Sequence, residues 1–303
     1  MKREKNSEKK VNKRKVMAAL LFLLGFLIAA YPLVSNWQNQ YLNRQIASSY
    51  NSYVETMSEE DINAELEKAK QYNTNHTENI ITESLDRHNE SEMTEEYMSL
   101  LNVQNNGVMG SINIPKIGIT LAVYHSVNAD VLQEGAGHIP GTSLPVGGKS
   151  SHCVIAAHRG LPNAKMFTDL DRMEKGDHIY LDVLGETFAY EVDRISVIEP
   201  DDNEPFKIYP KKDLLSLVTC TPYGVNTHRL IVRAHRINYH EPRDAMAVDF
   251  PPKHIDDIVR WICVLVCLIG MLSFIRMIIG SRKKKKEEED ESLTDLAKEV
   301  NDQ

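Results

Sequence analysis

The string LLSLVTCTPYGVNTHRLIVRAHR, residues 214–236, joins a buried-type run, a cysteine at its end, a Thr-Pro-Tyr-Gly turn and a returning run that begins with an arginine. A β-hairpin of this kind holds Cys220 and Arg229 on adjacent strands, close enough for the guanidinium to reach the bond that the sulfur attacks. Strand ends are rigid, and rigid elements position reacting groups well. The chemistry on offer is nucleophilic catalysis by a thiolate. A third group does not emerge from spacing within the hairpin. His158 is the candidate, because it closes the run HCVIAAH and is followed by Arg159-Gly160, a turn that sets a side chain on the rim of a sheet.

Plainer readings stand beside these. A single strand cysteine is more often a small buried hydrophobe than a nucleophile. A strand-end histidine is commonly an ordinary hydrogen-bonded residue, and a lone strand arginine usually faces solvent. Eleven histidines admit a metal site, but neither HExxH nor paired CxxC spacing is present, so no metal or other cofactor is expected. From spacing alone, a Cys-His enzyme and an inert thiol both remain open.

Topology narrows the cysteines. Residues 16–34 carry no charge and match the length needed to cross about 30 Å of hydrocarbon at roughly 1.5 Å per residue. The preceding MKREKNSEKKVNKRK is rich in Lys and Arg, which keeps this end in the cytoplasm. A cleaved signal peptide is the alternative, for which Ala29-Ala30 makes a poor cleavage site. A second apolar run, 258–280, has Arg260 and Arg276 near its ends, where both can snorkel, and RKKKK follows it. Both termini are then cytoplasmic, and about residues 36–257 lie outside. Cys263 and Cys267 fall in the second run, leaving Cys153 and Cys220 outside. So few cysteines do not make a disulfide scaffold, although a Cys153–Cys220 bridge would be possible and would silence the thiol. The net charge of −8 and the confinement of basic runs to the membrane ends argue against a nucleic-acid partner.

The elements that must position these groups fall in two textures. From 36 to about 100 the chain is polar and acidic, and Ser58-Glu-Glu-Asp61 has the spacing of a helix N-cap with an acid three residues on. Ile62, Leu66 and Ala69 repeat at helical spacing, so the stretch reads as a helical stalk or cover. From about 107, short runs rich in β-branched and aromatic residues alternate with Gly, Pro, Asn and Asp. They are 111–114, 119–125, 152–158, 178–184, 187–199, 214–219 and 229–236. Seven or eight strands at this spacing predict a closed or nearly closed sheet. Gly185-Glu186 reads as a two-residue hairpin turn, and 166–173 (MFTDLDRM) as the best helix of this region.

At these residues the chain resembles the sortases, and among them the class C, pilus-building members of Gram-positive bacteria. The resemblance rests on VMGSINIPKIGITLAVYHS, LQEGAGHIPGTSLPVGGKSSHCVIAAHRGLP, EKGDHIYLDVL and LLSLVTCTPYGVNTHRLIVRAHR, and covers residues 108 to about 240. It implies a mainly β fold, an eight-stranded barrel with a helical N-terminal stalk and two transmembrane helices. It implies that Cys220 is the nucleophile, His158 the catalytic histidine and Arg229 the catalytic arginine. The implied substrates are pilins or other surface proteins with a Leu-Pro-x-Thr-Gly-like signal. The implied acceptor is a pilin lysine or a cell-wall precursor amine; a non-catalytic scaffold is the remote alternative. The expected organisation is a basic N-terminus (1–15), an anchor (16–34), a stalk or lid region (35–106), the barrel (107–240), a linker (241–257), a second span (258–280) and a charged cytoplasmic tail (281–303).

The sequence departs from that pattern in two places. Many class C members carry a lid with an Asp-Pro-aromatic motif. Here the corresponding run, IITESLDRHNESEMTE from Ile80, has neither Pro nor aromatic residue, and Asp86 alone could stand for part of a plug. Ser216 replaces a Thr common before the cysteine, a change expected to alter only packing.

Overall fold

A computed structural model describes residues 2–76, 78, 92–238, 270 and 276. The chain divides into two compact units, Met1–Tyr31 with Pro251–Gln303, and Pro32–Phe250. The second unit contains the sheet: β1 (Val108–Ile114), β2 (Ile119–His125), β3 (Ala136–His138), β4 (Ser151–Ala156), β5 (His178–Val183), β6 (Glu186–Ile198), β7 (Asp213–Thr221) and β8 (His228–Arg236). They close into a barrel in the order β1-β2-β3-β4-β7-β8-β6-β5, with β5 pairing back onto β1. Closure leaves no long free edge to pair with another chain. Two pairings are parallel, β2 with β3 and β4 with β7; the other six are antiparallel.

Side chains alternate between the two faces of the wall, as the pleat requires. Leu215 and Leu217 of β7 and Leu230, Val232 and Ala234 of β8 join the main core inside the barrel. Val218 and Ile231, which face each other across β7 and β8, belong instead to a second cluster with Val154, Ile198 and Phe206. That cluster lies on the outer face of β4, β7, β8 and β6, and Phe206, in the connection from β6 to β7, is fully buried on it.

Helices α1 (Lys2–Val54), α2 (Glu59–Asn75), α3 (Glu95–Ser99) and α4 (Ala129–Glu134) precede or interrupt the strands. The expected limits of the basic segment and the anchor, 15/16 and 34/35, both fall inside α1. Among the described residues, the apolar stretch from Leu20 in this helix is the one long enough to cross a membrane, and its side chains are exposed. Apart from Gly270 and Arg276, the second span expected at 258–280 lies outside the described residues, as do the charged tail and residues 80–91 of the expected lid run, Asp86 included.

Within the segment read as a stalk or cover, the described parts of α1, α2 and α3 pack against the barrel. Ser58 caps α2 by accepting from Asp61 N while donating to Asp61 Oδ2 at 2.7 Å, the reciprocal arrangement the sequence foreshadows. Leu66, Ala69 and Tyr72 of α2 and Tyr50 and Val54 of α1 enter the main core with the barrel strands. Polar side chains fix the docking. Tyr50 donates to Met109 O at 2.9 Å and accepts from Leu184 N, while Asn73 accepts from Leu144 N at 2.7 Å and donates to Leu144 O. Tyr97 of α3 reaches His138 and accepts from Ser126 N.

Three local expectations are corrected. The hairpin between β5 and β6 turns at Leu184-Gly185, not Gly185-Glu186; both residues adopt positive φ, 46° and 80°, which lets Glu186 pair with Val183. The run 166–173 gives only a single 3-10 turn at Leu170–Arg172, in which Asp171, and Asp169 just before it, are taken up in ion pairs with Arg159 and Lys165. The helix of this region is α4, which the sequence reading passed over together with the three-residue β3.

Candidate active site

Cys220 is the penultimate residue of β7 and stands directly opposite Arg229, the second residue of β8. The pair lies two positions along the ladder from Val218 and Ile231, Cys220 following Val218 and Arg229 preceding Ile231, so both side chains lie on the outer face of the barrel, above the second apolar cluster. Cys220 is half-buried, whereas Arg229 is only 4 % exposed. Arg229 Nη1 donates to the carbonyls of Asn226 (3.1 Å) and His228 (2.9 Å). The guanidinium thus ties down the loop that returns from Cys220, a loop whose Thr221-Pro222 peptide is cis. Tyr223 and Val225 in the loop are exposed at its tip.

His158 is brought to the same end by a route the sequence did not reveal. Strand β4 stops at Ala156, two residues short of the expected end. It runs parallel to β7, with Ala156 level with Val218. The chains remain together for one more residue, because Ala157 N donates to Val218 O at 3.2 Å and Thr219 Oγ1 donates to Ala157 O at 2.8 Å. His158 and Cys220 are the next residues on each. Beyond the ladder, Phe167 N donates to the His158 carbonyl at 3.0 Å and fixes the backbone of the loop. The imidazole is half-buried, and loss of hydration pushes its pKa below the ordinary 6.5, which favours the neutral ring at pH 7.

The other cysteine of the barrel, Cys153, is a free thiol on the inward face of β4, 2 % exposed, and Cys220 is free as well, so the possible bridge is not formed. Burial raises the Cys153 thiol well above its usual range, with Asp213 adding to the effect. Of the two, only Cys220 combines access with a cationic partner. Among the described residues no group of three or more His, Cys, Asp or Glu converges as a metal site.

Several residues around the candidate site carried no signal of their own. Ser216 does more than pack: its hydroxyl lies 2.8 Å from Nε2 of His152, whose Nδ1 holds the Lys207 carbonyl at 2.9 Å. This link ties the β6–β7 connection to the outer face of β4 and β7. Arg159, next to His158, bridges to Thr221 and Asp171.

Comparison with known proteins agrees with this architecture. A family model described as a sortase domain matches residues 112–237. The crystal structure of sortase C1 from Streptococcus agalactiae is 40 % identical, with a TM-score of 0.60, covering 65 % of this chain and 100 % of that one. A sortase C structure from Streptococcus pneumoniae, described as informing catalysis and pilin substrate specificity, is 40 % identical with a TM-score of 0.59 and covers 65 % of this chain and 99 % of its own. Sortase D of Bacillus subtilis is 28 % identical over 131 residues, 42 % of this chain and 63 % of that protein's length.

Proposed function

The chain belongs to the sortase family of cysteine transpeptidases, and on that premise we propose that Cys220, His158 and Arg229 are its nucleophile, acid-base and oxyanion-stabilising groups in the joining of pilin subunits. The single observation that carries the reading is the register of β7 against both neighbours. It pairs Cys220 with Arg229 on one side and leaves His158 as the next residue on the other.

In the first step the neutral imidazole of His158 takes the thiol proton, and the sulfur of Cys220 attacks the Thr carbonyl of a Leu-Pro-x-Thr-Gly-like signal. Arg229 donates to the oxygen on which negative charge develops. A donor in this role is worth about 3–4 kcal/mol when removed. The C–N bond to Gly breaks, the proton held on His158 passes to the leaving amine, and a thioester remains on Cys220. In the second step an incoming amine attacks the thioester, giving up a proton as the new amide forms and the thiol is restored. A lysine side chain as the amine gives an isopeptide bond between subunits. The likeness to a class C enzyme described in terms of pilin specificity favours this acceptor over a cell-wall peptide.

The test is to incubate the full chain, in detergent micelles, with a pilin bearing the signal, a second pilin offering lysines and a cell-wall precursor peptide bearing a free amine. A covalent ladder joined through lysine, absent with Cys220→Ala, supports the reading. Products joined to wall peptide alone would move the protein to single-protein anchoring, and a ladder that survives Cys220→Ala would remove the nucleophile assignment.

A further inference from the structure

The loop that leaves β4 is pinned to the loop that leaves β7 by one side chain. Arg159 Nη1 donates to Thr221 Oγ1 at 3.2 Å, and Arg159 Nη2 donates to Asp171 Oδ2 at 2.6 Å. The side chain is only 9 % exposed, whereas Asp171 is about half exposed at 49 %. The guanidinium lies 6.0 Å from the ring centroid of Tyr223. Gly160, at φ +80°, brings its backbone against the same ring: a Cβ there would lie 3.0 Å from Tyr223 Cε2. On the other flank, Gly160 N donates to Thr168 Oγ1 at 3.1 Å. The segment 158–160 is therefore held between the 3-10 turn at Leu170–Arg172 and the β7–β8 loop. The two residues joined by the clamp adjoin the two groups whose separation decides the chemistry, for Arg159 follows His158 and Thr221 follows Cys220.

We propose that Arg159 is a positioning residue that sets the spacing between the His158 imidazole and the Cys220 thiol by clamping their two loops through Thr221, Tyr223 and Asp171. The proposal rests on the roles assigned to His158 and Cys220 above. The role proposed for Arg159 is structural and not contact with the reacting carbonyl: Nη1 and Nη2 donate to a hydroxyl and a carboxylate on the protein, and the buried Nε has no hydrogen-bond partner among the described residues. The planar fork explains why arginine and not lysine stands here: one guanidinium can reach two acceptors on different loops, and a single ammonium on a flexible stem cannot fix both directions. Loss of the clamp leaves binding of the signal peptide in place and misplaces the base, and misplacement of a reacting group by about 1 Å costs on the order of 100-fold in rate.

The experiment compares the full chain in micelles with Arg159→Met, Arg159→Lys and Asp171→Asn. It reads kcat and KM for cleavage of a Leu-Pro-x-Thr-Gly peptide, and the pH dependence of Cys220 alkylation by iodoacetamide. Arg159→Met is expected to lower kcat roughly 100-fold with KM nearly unchanged, and to move the alkylation profile toward that of His158→Ala. Arg159→Lys should recover part of kcat, and Asp171→Asn should show a smaller loss of the same kind. If Arg159→Met fails to fold, the Asp171→Asn and Thr221→Val variants carry the same test from the other ends of the clamp. An unchanged alkylation profile, or a loss confined to KM or to thermal stability, would overturn the proposal. A wild-type protein in which Cys220 is not needed for cleavage would instead overturn the underlying assignment.

Discussion

Cys220 and Arg229 occupy opposed positions in the β7–β8 ladder, on the outer face of a closed barrel. The lumen of the barrel is filled by Leu215, Leu217, Leu230 and Val232, so chemistry cannot take place there. It is confined to the outer face, where a long peptide can lie along the strands without entering the core.

From this pairing, replacing Arg229 should separate thiol reactivity from catalysis. Arg229→Met removes the donor proposed for the developing oxyanion, and peptide cleavage should fall by two to three orders of magnitude, about 3–4 kcal/mol. Alkylation of Cys220 should persist. Because the same side chain holds the carbonyls of Asn226 and His228, the thermal midpoint should also drop. Cleavage within a few-fold of the wild type would contradict the role.

Burial of His158 has a consequence for pH. Its imidazole titrates below the ordinary 6.5 in the folded protein, so it is neutral and able to accept the thiol proton throughout the neutral range. The acid limb of kcat/KM should therefore have its midpoint below 6.5, with the rate rising as pH increases through it. A pH series with the signal peptide measures this, and a midpoint at 7 or above would contradict it.

Three other histidines make the fold sensitive to acid. His138 donates from Nε2 to Ser143 O at 2.9 Å and accepts at Nδ1 from Tyr97 Oη at 3.0 Å, fully buried. Desolvation lowers it to about 4; His152 is likewise lowered to about 4, and His125 is lowered as well. At His138 and His152 the unfolded chain binds a proton near 6.5 and the folded one does not until about 4. Stability present at neutral pH is thus lost as pH falls across that window, on the order of 3 kcal/mol for each strongly shifted ring. The thermal midpoint should fall between pH 6.5 and 4.5 more steeply in the wild type than in a His138→Gln, His152→Gln variant. Equal slopes would exclude the histidines as the cause.

The docking of α2 on the barrel is equally open to test. Asn73 satisfies both backbone groups of Leu144. Asn73→Ala leaves the buried Leu144 N–H unpaired, while Leu144 O keeps its bond from Val146 N at 2.8 Å, and the cost should be about 1–3 kcal/mol by denaturant unfolding. A freestanding helix would give a change near zero.

The legible parts of the molecule were those with local patterning. The run at Ile119–His125 matched β2 residue for residue, and the Cys220–Arg229 hairpin was readable because a single chain reversal fixes its partners. The parallel pairing of β4 with β7 was not, since the two strands are separated by β5 and β6 in sequence; this crossover, and not the strand end, brings His158 to Cys220. Strand β3 was invisible because it has three residues centred on Gly137, where a Cβ would strike the Ser126 carbonyl. The roles of Tyr50, Asn73 and Tyr97 were hidden because a polar side chain gives no periodic sign that it is buried; its partners are backbone groups far along the chain.

The central claim is that Cys220 carries the acyl group. Its most direct test is peptide mass spectrometry of the full chain trapped with signal peptide in the absence of any acceptor amine. The account predicts a thioester of the Leu-Pro-x-Thr acyl group on the peptide containing Cys220, none on the peptide containing Cys153, and none anywhere in Cys220→Ala. An acyl adduct on another residue, or turnover of the signal by Cys220→Ala at the wild-type rate, would contradict it.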